Sequence, residues 1–153
     1  MDKLNCFSII GISIVTTNEN GQSLIDIEKL WDRFWSEDIQ KQVPNKISED
    51  IYAVYTDYEN KDIGKYTVII GLPVGNLNVI PEGFIGRELC IGESIKYTSK
   101  GKMPDAIVAT WTDIWQDQEL NRAFRVDVTV HGEKYYLGDD AEVETFISVT
   151  LLL

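Results

Sequence analysis

The chain has 153 residues, of which 44% are hydrophobic and 10% aromatic. This is enough to bury a core and excludes disorder as the main state. It carries 14 Lys and Arg against 25 Asp and Glu, a formal net charge of −11. Direct binding to nucleic acid needs clustered positive charge, so the composition argues against it, whereas an acidic protein attracts cationic small molecules.

The first half of the chain reads strand, helix, strand, strand. Residues 7–15 are rich in Ile and Val and predict a strand, which a polar turn ends at Gly21. A helix then begins at Ser23 and fades before Pro44. Residues 51–58 and 66–72 predict a hairpin around the loop that contains Gly64. The helix has one apolar face, made of Leu24, Ile27, Leu30, Trp31, Phe34 and Trp35.

The second half repeats this order. Residues 84–97 predict one strand, with Gly86 and Gly92 as bulge or bend positions. A turn at residues 100–102 leads into a helix that begins at Pro104. Residues 122–131 and 142–151 predict the closing pair of strands. The apolar face of this second helix consists of Ile107, Val108, Trp111, Ile114 and Trp115.

Four pairs of matching residues at nearly one offset indicate an internal duplication. The pairs lie 80 or 81 residues apart and include all four tryptophans: Gly11 and Gly92, Gly21 and Gly101, Trp31 and Trp111, Trp35 and Trp115. The sequence therefore predicts an α+β fold of two β-α-β-β modules, at about residues 3–80 and 81–153. Because each copy is too small for a large core of its own, we expect one domain over residues 1–153.

Cys6 and Cys90, with the lone His131, do not have the spacing of a disulfide framework or a metal site. We therefore predict two buried free thiols in a protein of the reducing cytoplasm, and no metal. The phosphate-binding, dinucleotide-binding and zinc-protease motifs are missing from the sequence, so no cofactor is predicted. No run of about 20 apolar residues predicts a membrane span.

Several segments resemble one known family. IYAVYTDYENKDIGKYTVIIGLPV, VIPEGF, KGKMPDAIVATWTDIW and AEVETFISV are similar to GyrI-like domains, also known as AraC-type or bacterial transcription activator effector-binding domains. The match covers essentially the whole chain and is closest to the stand-alone, integron-associated subgroup. The resemblance implies antiparallel sheets with helices on one side and, on the other, a groove between the modules for amphipathic, aromatic or cationic drugs. The chain departs from the family on the penultimate strand, which reads DVTVH at residues 127–131.

The resemblance also implies a glutamate on the last strand that meets the ligand's positive charge. Glu144 occupies this place, and strand alternation puts Phe146 on the same face, away from Val143 and Thr145. Tyr66 corresponds to Glu144 in the duplicated register at an offset of 78 residues, slightly shorter than that of the four pairs, so we expect it to face the groove from the other module. Tyr55 and Trp111 lie in the family's recurring segments and complete the predicted site. Trp31, Trp35 and Trp115 are assigned to the core.

Three functions remain open on the sequence alone. The first is a non-enzymatic protein that senses or sequesters aromatic cations. The second is a hydrolase of reactive electrophilic molecules that uses the same groove, with a buried Glu beside a Tyr. The third is a protein-interaction module of the gyrase-inhibitor kind. Because the effector-binding domain accounts for the 153 residues, a role in transcription would require a protein partner in trans.

Overall fold

The computed structural model describes residues 6–61 and 63–150. Within these residues, seven strands form one sheet in which each neighbouring pair is antiparallel. The strands are β1 (Cys6–Thr17), β2 (Ile51–Thr56), β3 (Lys65–Val74), β4 (Ile85–Cys90), β5 (Ser94–Lys100), β6 (Val126–His131) and β7 (Glu142–Ser148).

Three α-helices accompany the sheet: α1 (Gln22–Ser36), the four-residue α2 (Ile39–Gln42) and α3 (Asp105–Gln116). The predicted α+β class is therefore confirmed. Short 3-10 turns occupy Glu19–Gly21, Glu133–Tyr136 and Gly138–Asp140. None of the helices in the described part of the chain is long and apolar enough to cross a membrane.

The strand order across the sheet is β4-β1-β3-β2-β6-β7-β5. Without β4, the order is symmetric about its centre when β1, β2 and β3 are matched with β5, β6 and β7. Strands β1, β3 and β2 come from the first half of the chain, and β6, β7 and β5 come from the second. A duplicated β-α-β-β module predicts this mirrored order. The duplication itself stays a prediction.

One predicted strand, residues 84–97, is two strands on opposite edges of the sheet. Gly92 lies between them with φ +74, a left-handed conformation that favours glycine and ends the extended run. The three residues from Ile91 to Glu93 reach about 14 Å at most, whereas the edges of a flat seven-stranded sheet lie about 29 Å apart. The sheet must therefore curl until its edges approach each other.

Each face of the curled sheet has its own core. The outer face packs against α1 and α2, where Leu30, Phe34 and Ile39 meet Ile12 and Ile70. The inner face is filled by strand residues and Ile91, without any helix residue. The members of this inner cluster are Ile9, Val54, Ile69, Leu89, Ile91, Val126, Val128 and Phe146.

The prediction of two buried free thiols is wrong. Cys6 lies directly opposite Cys90 in the β1–β4 pair, and the two are joined in a disulfide. Both residues are exposed at the edge of the sheet. Their separation of 84 residues in sequence gave no sign of this pairing, because it depends on the extra strand β4.

Candidate functional site

A cavity of about 830 Å³ lies between the two long helices on the outer face of the sheet. Helix α1 packs mainly over β1 and β3, and α3 packs mainly over β5, so a gap between the two helices remains above the central strands β2 and β6. This gap is the cavity, and its floor is provided by Tyr55, Tyr66 and Thr129. Its place differs from the prediction, which put the groove on the face opposite the helices.

One wall of the cavity is an aromatic row that begins on α1. The rings of Trp31 and Trp35 stack with their centroids 6.0 Å apart, as expected for aromatic residues four positions apart on a helix. His131 of β6 contacts Trp31 in an edge-to-face arrangement with ring centroids 4.9 Å apart, and Tyr135 contacts His131 in the same way with centroids 4.8 Å apart. Trp35 is 41% exposed, so this wall opens to solvent at its outer end.

The opposite wall combines α3 with the floor of the sheet. Trp111 and Trp115 lie 6.1 Å apart on α3, and the Trp111 ring meets Tyr55 of β2 at 5.2 Å. Tyr66 continues the row towards Tyr58, with centroids 5.6 Å apart. The two walls together present eight Trp and Tyr side chains to one space, which is large enough for a drug-sized molecule.

The tyrosines of the floor are neutral hydrogen-bonding groups at physiological pH. Burial raises the pKa of the Tyr55 hydroxyl, because the phenolate would be poorly solvated there. Burial, and then the neighbouring Asp127 carboxylate, raises the pKa of Tyr58. Burial likewise raises the pKa of Tyr66, whose hydroxyl donates to Asn18 Oδ1 at 2.7 Å.

A buried ion pair supports one end of the floor. Asp127 is fully buried, and its Oδ2 accepts hydrogen bonds from Tyr58 at 2.5 Å and from Arg122 Nη2 at 2.8 Å. Its Oδ1 accepts from the Ser148 amide at 2.8 Å and the Ser148 hydroxyl at 3.1 Å. The Arg122 guanidinium lies 4.3 Å from the centroid of the Phe124 ring. Because the Asp127 carboxylate offsets the positive charge of Arg122, the guanidinium contributes a planar surface to the cavity rather than an uncompensated positive charge.

His131 lies at the other end of the same strand. It is 4% exposed, and burial lowers its pKa to about 4. The imidazole is therefore neutral at pH 7. Two further charged residues line the cavity, Glu28 and Asp32, which are exposed and lie one turn apart on α1. Among the described residues, no cluster of three or more His, Cys, Asp or Glu has the arrangement of a metal site.

The structure brings together three of the five residues predicted for the site. Tyr55, Tyr66 and Trp111 all line the cavity. Glu144 and Phe146 lie on the inner face, since Glu144 pairs with Val130 and Phe146 with Val128, both of which point away from the helices. Phe146 is part of the inner core, and Glu144 is exposed. A ligand contact at Glu144 stays a prediction and would need a second site.

Sequence reasoning assigned Trp31, Trp35 and Trp115 to the core, but all three line the cavity. An apolar helix face looks the same whether it meets a filled core or a hollow, so periodicity could not separate the two. The offset of 80 residues was a usable signal, because it matches Trp31 with Trp111 and Trp35 with Trp115. Since Trp111 is predicted to line the site, its counterpart Trp31 and the neighbouring pair could have been predicted to line it as well. Arg122 carried no such signal.

Comparison with known proteins supports the resemblance seen in the sequence. The family model of integron-associated effector binding proteins matches residues 1–149. YobU of Bacillus subtilis (strain 168), named as a candidate transcriptional regulator, is 24% identical over 126 residues, which cover 80% of this chain and 79% of YobU.

Two solved structures share the fold. An integron cassette protein from the mobile metagenome of Vibrio cholerae superposes with a TM-score of 0.75 at 22% identity, over 97% of this chain and 94% of that one. SAV2435, solved with tetraphenylphosphonium bound, superposes with a TM-score of 0.76 at 14% identity, over 97% of this chain and 92% of that one. The chain therefore belongs to the integron-associated effector binding proteins, a subgroup of the GyrI-like effector-binding domains.

Proposed function

We propose that this protein binds a bulky aromatic cation in the cavity between α1 and α3, and that it senses or sequesters such molecules. The single observation that carries the proposal is the lining of eight Trp and Tyr side chains in one cavity of about 830 Å³. Tyr55, Tyr66 and Trp111 are proposed as direct ligand contacts. Ring faces attract a cation through their quadrupole and bury apolar ligand surface at the same time.

The charges around the cavity favour a cation over an anion. Glu28 and Asp32 line one side with two negative charges, and the Arg122 charge is offset by the carboxylate of Asp127. His131 adds no positive charge at pH 7, because burial lowers its pKa to about 4. The whole chain, with a formal net charge of −11, attracts cations over a longer range.

A structural neighbour supports the same ligand class. SAV2435 was solved with tetraphenylphosphonium, a lipophilic cation with four aromatic rings. At 14% identity this neighbour shares the fold, and its ligand is therefore a guide to the choice of probe. In this chain, the two aromatic walls on α1 and α3 would each supply ring faces to such a molecule.

The observations favour binding over hydrolysis. The alternative of a hydrolase needs a buried carboxylate beside a Tyr that is free to transfer a proton to the ligand. The two carboxylates that line the cavity, those of Glu28 and Asp32, are exposed. Asp127 is the fully buried carboxylate near the cavity, and both of its oxygens already accept two hydrogen bonds each. Glu144 lies on the other face of the sheet. The protein-interaction alternative stays a prediction.

Two probes of the same shape and opposite charge test the proposal. Tetraphenylphosphonium and tetraphenylborate differ mainly in the sign of their charge, and all four tryptophans of the chain line the cavity, so Trp fluorescence reports on its occupancy. We expect saturable binding of the phosphonium with a stoichiometry of one, and weaker binding of the borate. The double variant Glu28→Gln/Asp32→Asn should reduce the difference in affinity between the phosphonium and the borate, because each exposed charge contributes roughly 0.5–1 kcal/mol to the binding free energy of a charged probe.

The matched control is Glu88→Gln/Glu93→Gln, which removes the same net charge at positions outside the cavity lining. We expect it to change the affinity for either probe by less than the Glu28→Gln/Asp32→Asn pair does. Equal affinity for the two probes would refute the proposed charge preference. Absence of saturable binding for both probes would refute the proposed site.

A further inference from the structure

The floor strand β6 presents three buried polar side chains to the helix side of the sheet: Asp127, Thr129 and His131. They alternate along the strand, so neighbours in this series lie about 6.6 Å apart. Asp127 is fully satisfied by four hydrogen bonds. The other two line the cavity but differ from Asp127 in having unused hydrogen-bonding atoms.

His131 Nδ1 is buried and has no hydrogen-bond partner among the described residues. Trp31 and Tyr135 hold the imidazole from two sides through ring contacts, and such contacts do not satisfy a ring nitrogen. The imidazole is neutral at pH 7, since burial lowers its pKa to about 4. A neutral imidazole has one donor and one acceptor nitrogen, so it suits a hydroxyl or amide rather than a charged group.

Thr129 repeats the pattern one step along the strand. Its side chain is 1% exposed, and its Oγ1 has no partner that meets hydrogen-bond geometry within the described part of the chain. The hydroxyl lies near the Tyr55 phenol, where it offsets part of the rise that burial causes in the pKa of Tyr55. A buried hydroxyl without a partner lowers stability, and the cost disappears when a ligand group fills the place.

We propose that Thr129 and His131 form a hydrogen-bonding subsite on the cavity floor, and that the ligand is an aromatic cation that also carries an uncharged polar group such as a hydroxyl or an amide. This inference rests on the proposed function and narrows the ligand class. The aromatic walls bind the rings, Glu28 and Asp32 attract the charge, and the subsite selects among cations of similar size. A purely apolar cation leaves both polar atoms unpaired beneath it.

Two triphenylphosphonium probes test the subsite: 2-hydroxyethyltriphenylphosphonium and propyltriphenylphosphonium. They differ in one hydroxyl group, which replaces a methyl group of similar size. An entirely apolar floor would favour the propyl probe, because a hydroxyl loses its water on entry. We expect the wild type to bind the hydroxyethyl probe about fivefold more tightly. Thr129→Val and His131→Phe should each reduce this ratio of affinities by about five- to tenfold, so that each variant binds the two probes about equally or binds the propyl probe up to about twofold more tightly.

The structure provides a matched control in Thr145. It is the cross-strand partner of Thr129 in the β6–β7 pair, and its buried Oγ1 is also without a partner among the described residues. Thr145 does not line the cavity. Thr145→Val should therefore leave the preference between the probes within about twofold, although its effect on thermal stability should be similar to that of Thr129→Val.

Several outcomes would overturn the inference: a wild-type preference for the propyl probe, no response to either Thr129→Val or His131→Phe, or an equal response to Thr145→Val. Should His131→Phe fail to fold, Thr129→Val decides alone, since a threonine-to-valine exchange keeps the shape of the side chain. Equal binding of both probes would refute the subsite and leave the proposed function standing. Binding of neither probe would refute the proposed function itself.

Discussion

The Asp127 carboxylate makes the sharpest prediction about stability. Asp127→Asn keeps the shape of the side chain but removes the charge that faces Arg122 at 2.8 Å, in a pair whose side chains are 0% and 9% exposed. Breaking a buried ion pair by removing one partner costs about 3–5 kcal/mol, because the other charge stays buried without compensation. The amide NH₂ would also face donors that now bind a carboxylate oxygen. We expect a loss of about 4 kcal/mol in the free energy of unfolding.

Urea unfolding of a double-mutant cycle measures this loss and tests its cause. Arg122→Met removes the guanidinium, so Arg122→Met/Asp127→Asn leaves no buried charge in the pair. We expect the double variant to be about 1–2 kcal/mol more stable than Asp127→Asn alone. If the two substitutions acted independently, Arg122→Met would instead lower the stability of the Asp127→Asn variant further. If the two single losses simply add, or if Asp127→Asn costs less than about 1 kcal/mol, the buried-charge reasoning is refuted.

Two further predictions concern stability and use the same unfolding assay. Burial lowers the pKa of His131 to about 4, so the folded state resists a proton that the unfolded chain accepts below about pH 6.5. The contribution of His131 to the free energy of unfolding should therefore be complete above pH 6.5 and should fall by up to about 3 kcal/mol as the pH drops towards 4. This part of the loss should be absent in His131→Phe. Phe34→Ala should lower the free energy of unfolding by about 3–5 kcal/mol because Phe34 is fully buried, whereas Trp115→Ala should lower it by less than about 2 kcal/mol because Trp115 is 56% exposed. The reverse ranking would show that the division between core and cavity wall is wrong.

The strand patterns could be predicted from the sequence because alternation depends only on neighbouring residues. Val143, Thr145 and Ile147 share one face of β7, and Glu144 and Phe146 share the other, as the sequence predicted. Which of the two faces borders a cavity depends on how helices sit over distant strands. The same alternation therefore predicts the two faces of β7 correctly, but the groove that it predicts beside Glu144 lies on the face opposite the cavity.

The break between β4 and β5 shows a second limit. Residues 84–97 have β-forming composition throughout, so the sequence predicts one strand with Gly92 as a bulge or bend position. In the structure, this glycine separates two strands that pair at opposite edges of the sheet. A local signal can mark a change of direction, but the strand partners are fixed by contacts with β1 and β7, far away in sequence. The Cys6–Cys90 disulfide was missed for the same reason.

The position of the cavity links the fold to the proposed function. Each long helix covers the outer strands of its own half, and the hollow remains where the two halves meet, over β2 and β6. Trp31 and Trp35 come from one half, and Trp111 and Trp115 from the other. A ligand between these walls contacts both halves at once, and neither half alone contains the site. The proposed ligand must then stabilise the assembled fold by an amount that rises with the logarithm of its concentration above the dissociation constant, because the unfolded chain has no such cavity to occupy.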